Sequence, residues 1–270
     1  MFVPVHDNKN TKISCKPIIT YVIIGICFLI FTYQSIIGSA SDNSIIGIYK
    51  LANFNNKYGL VPSIYNSGKT EYFVNSAIDE NEFNQSIKNE SDAKLLNFLK
   101  VKTNSLIIWL MPLLFCFLHG SLDHLLSNMW FFWIFSDNVE EKLGKIGYLV
   151  FYLFVGAVSG IGHAYLNPES TTPLVGASGA ISGIMGAYMA FFPKNLITSF
   201  FCPIWFFIRR IDVPAFVVLG FYLLINALQA NYNNPLLGGV AFDCHIIGFL
   251  AGLTLANIKV INTRKSKIVI

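Results

Sequence analysis

Apolar residues run along this chain in long blocks separated by polar stretches, with neither strand alternation nor the narrow stripe of an amphipathic helix. A helix crossing a bilayer needs roughly 20 mostly apolar residues. Such windows cover Pro17 to Ile37, His119 to Phe135, Gly147 to Tyr165, Gly176 to Phe192, Val213 to Leu228 and Val240 to Val260. The pattern predicts an all-α membrane protein with six transmembrane helices in one domain. Two shorter apolar runs, Ser105 to Leu118 and Leu196 to Ile208, have the length of interfacial or re-entrant segments.

The polar stretches set the organisation: an N-terminal segment over 1–16, the six-helix domain over 17–260 and a tail over 261–270. A long loop over 38–104, rich in Asn, Ser, Lys, Asp and Glu with scattered aromatics, interrupts the domain. Its composition predicts short helical pieces outside the cytoplasm rather than a second core. Basic residues fall in alternate connections: Lys9, Lys12 and Lys16; Lys142 and Lys145; Lys194, Arg209 and Arg210; then Lys259, Arg264, Lys265 and Lys267. Short cytoplasmic loops collect Lys and Arg, so both termini are expected in the cytoplasm. The first window is as long as a bilayer is thick and lacks a small-residue cleavage site, so it is expected to stay in the mature protein.

Composition agrees with lipid as the solvent: 54% of residues are hydrophobic, 13% are charged and the mean hydropathy is +0.54. The net charge of +4 is spread over membrane-flanking positions, which argues against a nucleic-acid partner. Cys15, Cys27, Cys116, Cys202 and Cys244 lie in or beside apolar blocks at no metal-like spacing, so no metal site, cofactor or disulfide framework is expected. No fixed-period repeat is present, which counts against repeat-built transporters.

Polar side chains inside lipid-crossing helices are costly and mark functional sites. The fourth window opens Gly176-Ala177-Ser178-Gly179-Ala180-Ile181-Ser182-Gly183, the sixth carries His245, and the second carries His124 and Asn128 one turn apart on one face. These three helices all run from outside to inside. Each polar group lies within a few turns of the outer start, so all four share the outer half of the membrane.

Serine needs a base to take its proton, and a neutral imidazole suits that task; Ser178 and His245 supply the pair. Donors for the developing oxyanion would be the Asn128 amide, His124 and the Ser178 backbone N–H. Gly179 and Gly183 are expected to face Gly248 and Gly252 across a small-residue seam of the kind that drives helix packing in lipid, with Gly176 at its head. Asp243 lies about 200° around the helix from His245, which leaves a dyad. His119 is expected to hydrogen-bond the loop before the second helix, and His163 and His6 read as interface and tail residues. Met129-Trp130-Phe131-Phe132 below Asn128 ends any polar path, which counts against a transporter or channel that would use His and Asn to cross the membrane.

These segments resemble the rhomboid family of intramembrane proteases. His119-Gly120-Ser121-Leu122-Asp123-His124-Leu125-Leu126-Ser127-Asn128 is similar to its second-helix motif, Gly176-Ala177-Ser178-Gly179 to its nucleophile motif, and Cys244-His245-Ile246-Ile247-Gly248 with Gly252 to its last-helix motif. Met1 to Asp7 and Tyr58-Gly59-Leu60-Val61-Pro62 resemble the bacterial branch. The resemblance implies a six-helix rhomboid-like bundle in a bacterial inner membrane. It implies Ser178 as nucleophile, His245 as base, His124 and Asn128 as oxyanion stabilisers, and single-pass membrane proteins in the bilayer as substrates. Phe135 to Gly144, with Glu140, is similar to the family's inner loop. Ser136 stands where glycine is usual, and the long loop lacks the Trp-Arg pair of some members.

Overall fold

Long apolar blocks form helices here because lipid offers the backbone no partner, so each segment satisfies its own N–H and C=O groups. The computed structural model describes residues 2–8, 16–39, 44–73, 100–201, 209–230 and 239–268. In order these form β1 (Phe2–Asn8), α1 (Ile18–Ser39), α2 (Ser44–Tyr58), α3 (Pro62–Ser67), β2 (Glu71–Phe73), β3 (Lys100–Lys102) and α4 (Ser105–Leu114) with a 3-10 turn over Phe115–Phe117. There follow α5 (Leu122–Leu143), α6 (Lys145–Leu166), α7 (Ser178–Phe191), β4 (Leu196–Phe201), β5 (Arg209–Pro214), α8 (Ala215–Ala230) and α9 (Phe242–Ile268).

Each of the six apolar windows contains a helix, but length separates them. Among the described residues α1, α6 and Phe242–Ile261 of α9 are long and apolar enough to cross a membrane. Within the run read as interfacial or re-entrant, Ser105 to Leu118, the helical part Ser105–Phe117 passes the same test jointly with α5, from which it is bent by 79°. The remaining two, α7 and α8, have 14 and 16 residues. At 1.5 Å per residue α7 spans only about 21 Å. It can be short because it is enclosed by protein: Gly179 to Tyr188 are all buried, against α9, α6 and α5.

Local signals explain several boundaries. The Asn104 side chain caps α4 by accepting from Ile107 N–H at 2.9 Å, and Ser121 caps α5 by accepting from His124 N–H at 3.2 Å. The start of α1 is capped from another helix. Glu140, buried near the end of α5, accepts from Ile19 N–H at 3.0 Å, Thr20 N–H at 2.9 Å and the Thr20 hydroxyl at 2.8 Å. Ser136 is fully buried and its hydroxyl hydrogen-bonds that of Tyr148, so the residue standing in place of glycine has a partner on α6.

The run at Leu196 to Ile208, read as interfacial or re-entrant, begins as a strand in a fold expected to be all-α. Its first half is strand β4, central in an antiparallel sheet ordered β1-β4-β5, with Phe2 opposite Phe201 and Leu196 opposite Pro214. β1 supplies pairing from the far end of the chain, which local periodicity does not reveal. Trp130 Nε1–H donates to the Pro4 carbonyl at 2.9 Å and joins the sheet to α5. Cys27, Cys116 and Cys244 are buried free thiols; Cys15 and Cys202 lie outside the described residues.

Candidate active site

Ser178 is the first residue of α7, and the chain reaches it through a segment tied down on two sides. Leu60 N–H donates to the Leu174 carbonyl at 3.0 Å and Leu174 N–H returns a bond of 2.8 Å to the Leu60 carbonyl, while Gly176 N–H donates to Phe115 at 3.0 Å. The Tyr58 to Pro62 stretch of the long loop thus holds the approach to the serine. Because Ser178 opens a helix, the first N–H groups of α7 have no intrahelical acceptor. The positive end of the helix dipole is therefore at the serine.

His245 stands in the first turn of α9, with Nε2 2.8 Å from Ser178 Oγ. Its other nitrogen, Nδ1, lies 2.8 Å from Oδ1 of Asn226 on α8. The Asn226 amide nitrogen donates to the Tyr222 carbonyl one turn back at 2.8 Å, which turns its oxygen toward the imidazole. That oxygen can only accept, so Nδ1 carries the hydrogen and Nε2 of the neutral ring accepts from the serine. Sequence reading missed Asn226. Its signal was an amide inside the apolar fifth window, four residues after Tyr222 and on the same face. The Tyr222 hydroxyl pairs with Ser182 Oγ at 2.7 Å, and Ser182 Oγ donates to the Ser178 carbonyl at 2.8 Å.

Asn128 and His124 lie on α5 across from Ser178. The Asn128 amide nitrogen is buried and has no hydrogen-bond partner among the described residues, an uncommon state that normally costs about 1–3 kcal/mol. Gly176, expected in the packing seam, instead turns the chain two residues before α7 with φ 133°. A Cβ there would meet His124 Cε1 at 2.8 Å, His124 Nε2 at 2.9 Å and Asn128 Nδ2 at 3.6 Å. Glycine therefore leaves open the space beside these two donors.

The other glycines form the contact between α7 and α9. A Cβ on Gly248 would overlap the Gly179 carbonyl oxygen and lie 3.0 Å from its carbon, and one on Gly252 would overlap the Gly183 carbonyl. Gly183 faces Val155 and the Gly248 carbonyl, and Gly179 faces Ser159 and Cys244.

Ser178, His245, His124, Asn128 and Tyr222 open into a cavity of about 1000 Å³. At its edge the Asp243 carboxylate turns away from His245 to His163 Nδ1, at 2.8 Å, and to the Asn167 amide, at 2.7 Å. His163, read as an interface residue, is thus buried at 5% exposure. For His119 it is the backbone that is held, by paired bonds of 3.2 Å with the Gln34 amide, while its ring packs edge-on against His124. His6 is an exposed residue of β1. Chemically, the cavity offers a hydroxyl with a base on its oxygen and, on α5, the His124 ring and an Asn128 amide nitrogen without a partner among the described residues, the parts that acyl transfer uses.

Known proteins share this segment. The chain is 29% identical over 133 residues to the human presenilin-associated rhomboid-like protein, mitochondrial, covering 48% of this chain and 35% of that protein. It is 28% identical over 141 residues to YdcA of Bacillus subtilis (strain 168), a relative named for the rhomboid proteases, covering 52% and 61%. It is 26% identical over 149 residues to rhomboid-like protein 11, chloroplastic, of Arabidopsis thaliana, covering 52% and 48%. The chain thus spans about a third of the length of its mitochondrial relatives. The model of the rhomboid domain matches residues 108–261, more than half of a chain whose apolar helices make it a membrane protein, and the chain belongs to the rhomboid family.

Proposed function

We propose that this protein is an intramembrane serine endopeptidase that hydrolyses a peptide bond in the transmembrane segment of single-pass membrane proteins, near the outer leaflet. In this reading six helices cross the bilayer, the short α7 and α8 among them, with 17–260 as one domain and both termini in the cytoplasm of a bacterial cell. The alternation of basic connections supports that orientation.

One observation carries the reading: the 2.8 Å bond between Ser178 Oγ and His245 Nε2, opening on a cavity that also holds the Asn128 amide nitrogen, which has no partner among the described residues. His245 takes the Ser178 proton as Oγ attacks the scissile carbonyl carbon. The tetrahedral oxyanion is met by the Asn128 amide, His124 and the Ser178 N–H at the head of α7. His245 then protonates the leaving amine, and water releases the acyl group from Ser178 by the same steps in reverse roles.

The test uses a serine-reactive phosphonate probe and a membrane-embedded model substrate on the purified protein. Wild type should be labelled and should cleave; Ser178→Ala should do neither, and His245→Ala should fail to cleave while remaining folded. Labelling or cleavage at the wild-type level by Ser178→Ala defeats the assignment.

A further inference from the structure

Asn226 is buried at 5% exposure on α8, a helix that turns Phe221, Leu224 and Leu228 outward. An amide inside an apolar helix is costly unless fully bonded. Both ends of this one are used: the nitrogen on the Tyr222 carbonyl and the oxygen on His245 Nδ1. We infer that Asn226 is a positioning residue for the reaction, holding the His245 ring in the one tautomer and orientation that leaves Nε2 free to receive the Ser178 proton.

The proposal rests on the serine-protease reading and extends it from two members to three, with the third on a different helix. A neutral imidazole carries one ring hydrogen. With that hydrogen on Nε2 the ring faces Ser178 as a donor and cannot take its proton. The Asn226 oxygen, which only accepts, removes that state. The alternative carboxylate, Asp243, is bonded to His163 and Asn167. Comparable orienting groups in serine and cysteine proteases act by selecting the tautomer. The charged or titratable groups around His245 are Asp243 on its own helix, His124 on α5 and His163 on α6, and the variants below leave all three unchanged.

The experiment compares wild type, Asn226→Leu and Asn226→Asp as full-length chains in detergent. It measures kcat and KM for the model substrate, kcat against pH, phosphonate labelling and thermal unfolding. Asn226→Leu should lower kcat about 100-fold with KM within about twofold, since Asn226 does not line the cavity into which Ser178 opens. Asn226→Asp keeps an acceptor and adds a negative charge that favours the protonated ring. Its activity should return toward wild type at high pH, with the acidic limb of the kcat profile displaced upward by about one pH unit or more. A packing role alone would not move that limb. Wild-type kcat in Asn226→Leu, or an unmoved acidic limb in an active Asn226→Asp, overturns the proposal. So does loss of folding in both variants, which would make the residue structural. Absence of Ser178-dependent labelling in wild type would instead sink the protease reading itself.

Discussion

Replacing Gly248 by alanine adds one methyl group at a position with no chemical role, and on the proposed function it should lower the rate of cleavage on the order of 100-fold. A Cβ at this position would overlap the Gly179 carbonyl oxygen and lie 3.0 Å from the Gly179 carbonyl carbon and 3.3 Å from Ser159 Cβ. Carbon atoms rest at about 3.5–4.0 Å, so α7 and α9 must separate by on the order of 1 Å. The obstacle is backbone, which cannot rotate aside as a side-chain end can. Gly248 is three residues after His245 and Gly179 is next to Ser178, so the displacement acts where the two reacting groups meet. A 2.8 Å bond lengthened by about 1 Å is no longer a hydrogen bond, and such a misplacement costs on the order of 100-fold in rate. The assay is cleavage of a model substrate together with phosphonate labelling of Ser178. Gly220→Ala on α8 and Gly25→Ala on α1 serve as matched controls, because a Cβ at either meets nothing within 4 Å. Gly248→Ala that cleaves and labels like these controls would refute the claim that the α7–α9 contact holds the pair in register.

Asn128→Ala should lower kcat about 10- to 1,000-fold with little change in KM, as loss of one oxyanion donor does; a raised KM with unchanged kcat would make Asn128 a binding residue. Gly176→Ala should abolish cleavage in a protein that still folds, since the methyl group both strains a φ of 133° and enters the space beside His124 and Asn128; wild-type turnover would show that the oxyanion sits elsewhere. Glu140→Ala removes three bonds to the start of α1 and should cost about 2 kcal/mol, lowering the detergent melting temperature by about 4–8 °C; an unchanged melting temperature would mean that α1 is held without this cap.

The positions of the helices were legible in the sequence because lipid demands unbroken apolar blocks, and each block does contain a helix. Ser178, His245, Asn128 and His124 stood out for the same reason, as polar groups where polarity is expensive. The seam of Gly179, Gly183, Gly248 and Gly252 could be read because two helices in close contact tolerate only small residues between them. Tertiary structure decided what depends on partners distant along the chain. Leu196–Phe201 is a strand because Phe2–Asn8 and Arg209–Pro214 flank it, and α7 is short because protein rather than lipid encloses it. Gly176 keeps open the space beside two donors instead of packing helices, a matter of one backbone angle. Asn226 carries no local mark that separates it from an amide joining two helices. Its meaning comes from the imidazole of α9 lying 2.8 Å away, and only the folding of α8 against α9 brings the two together.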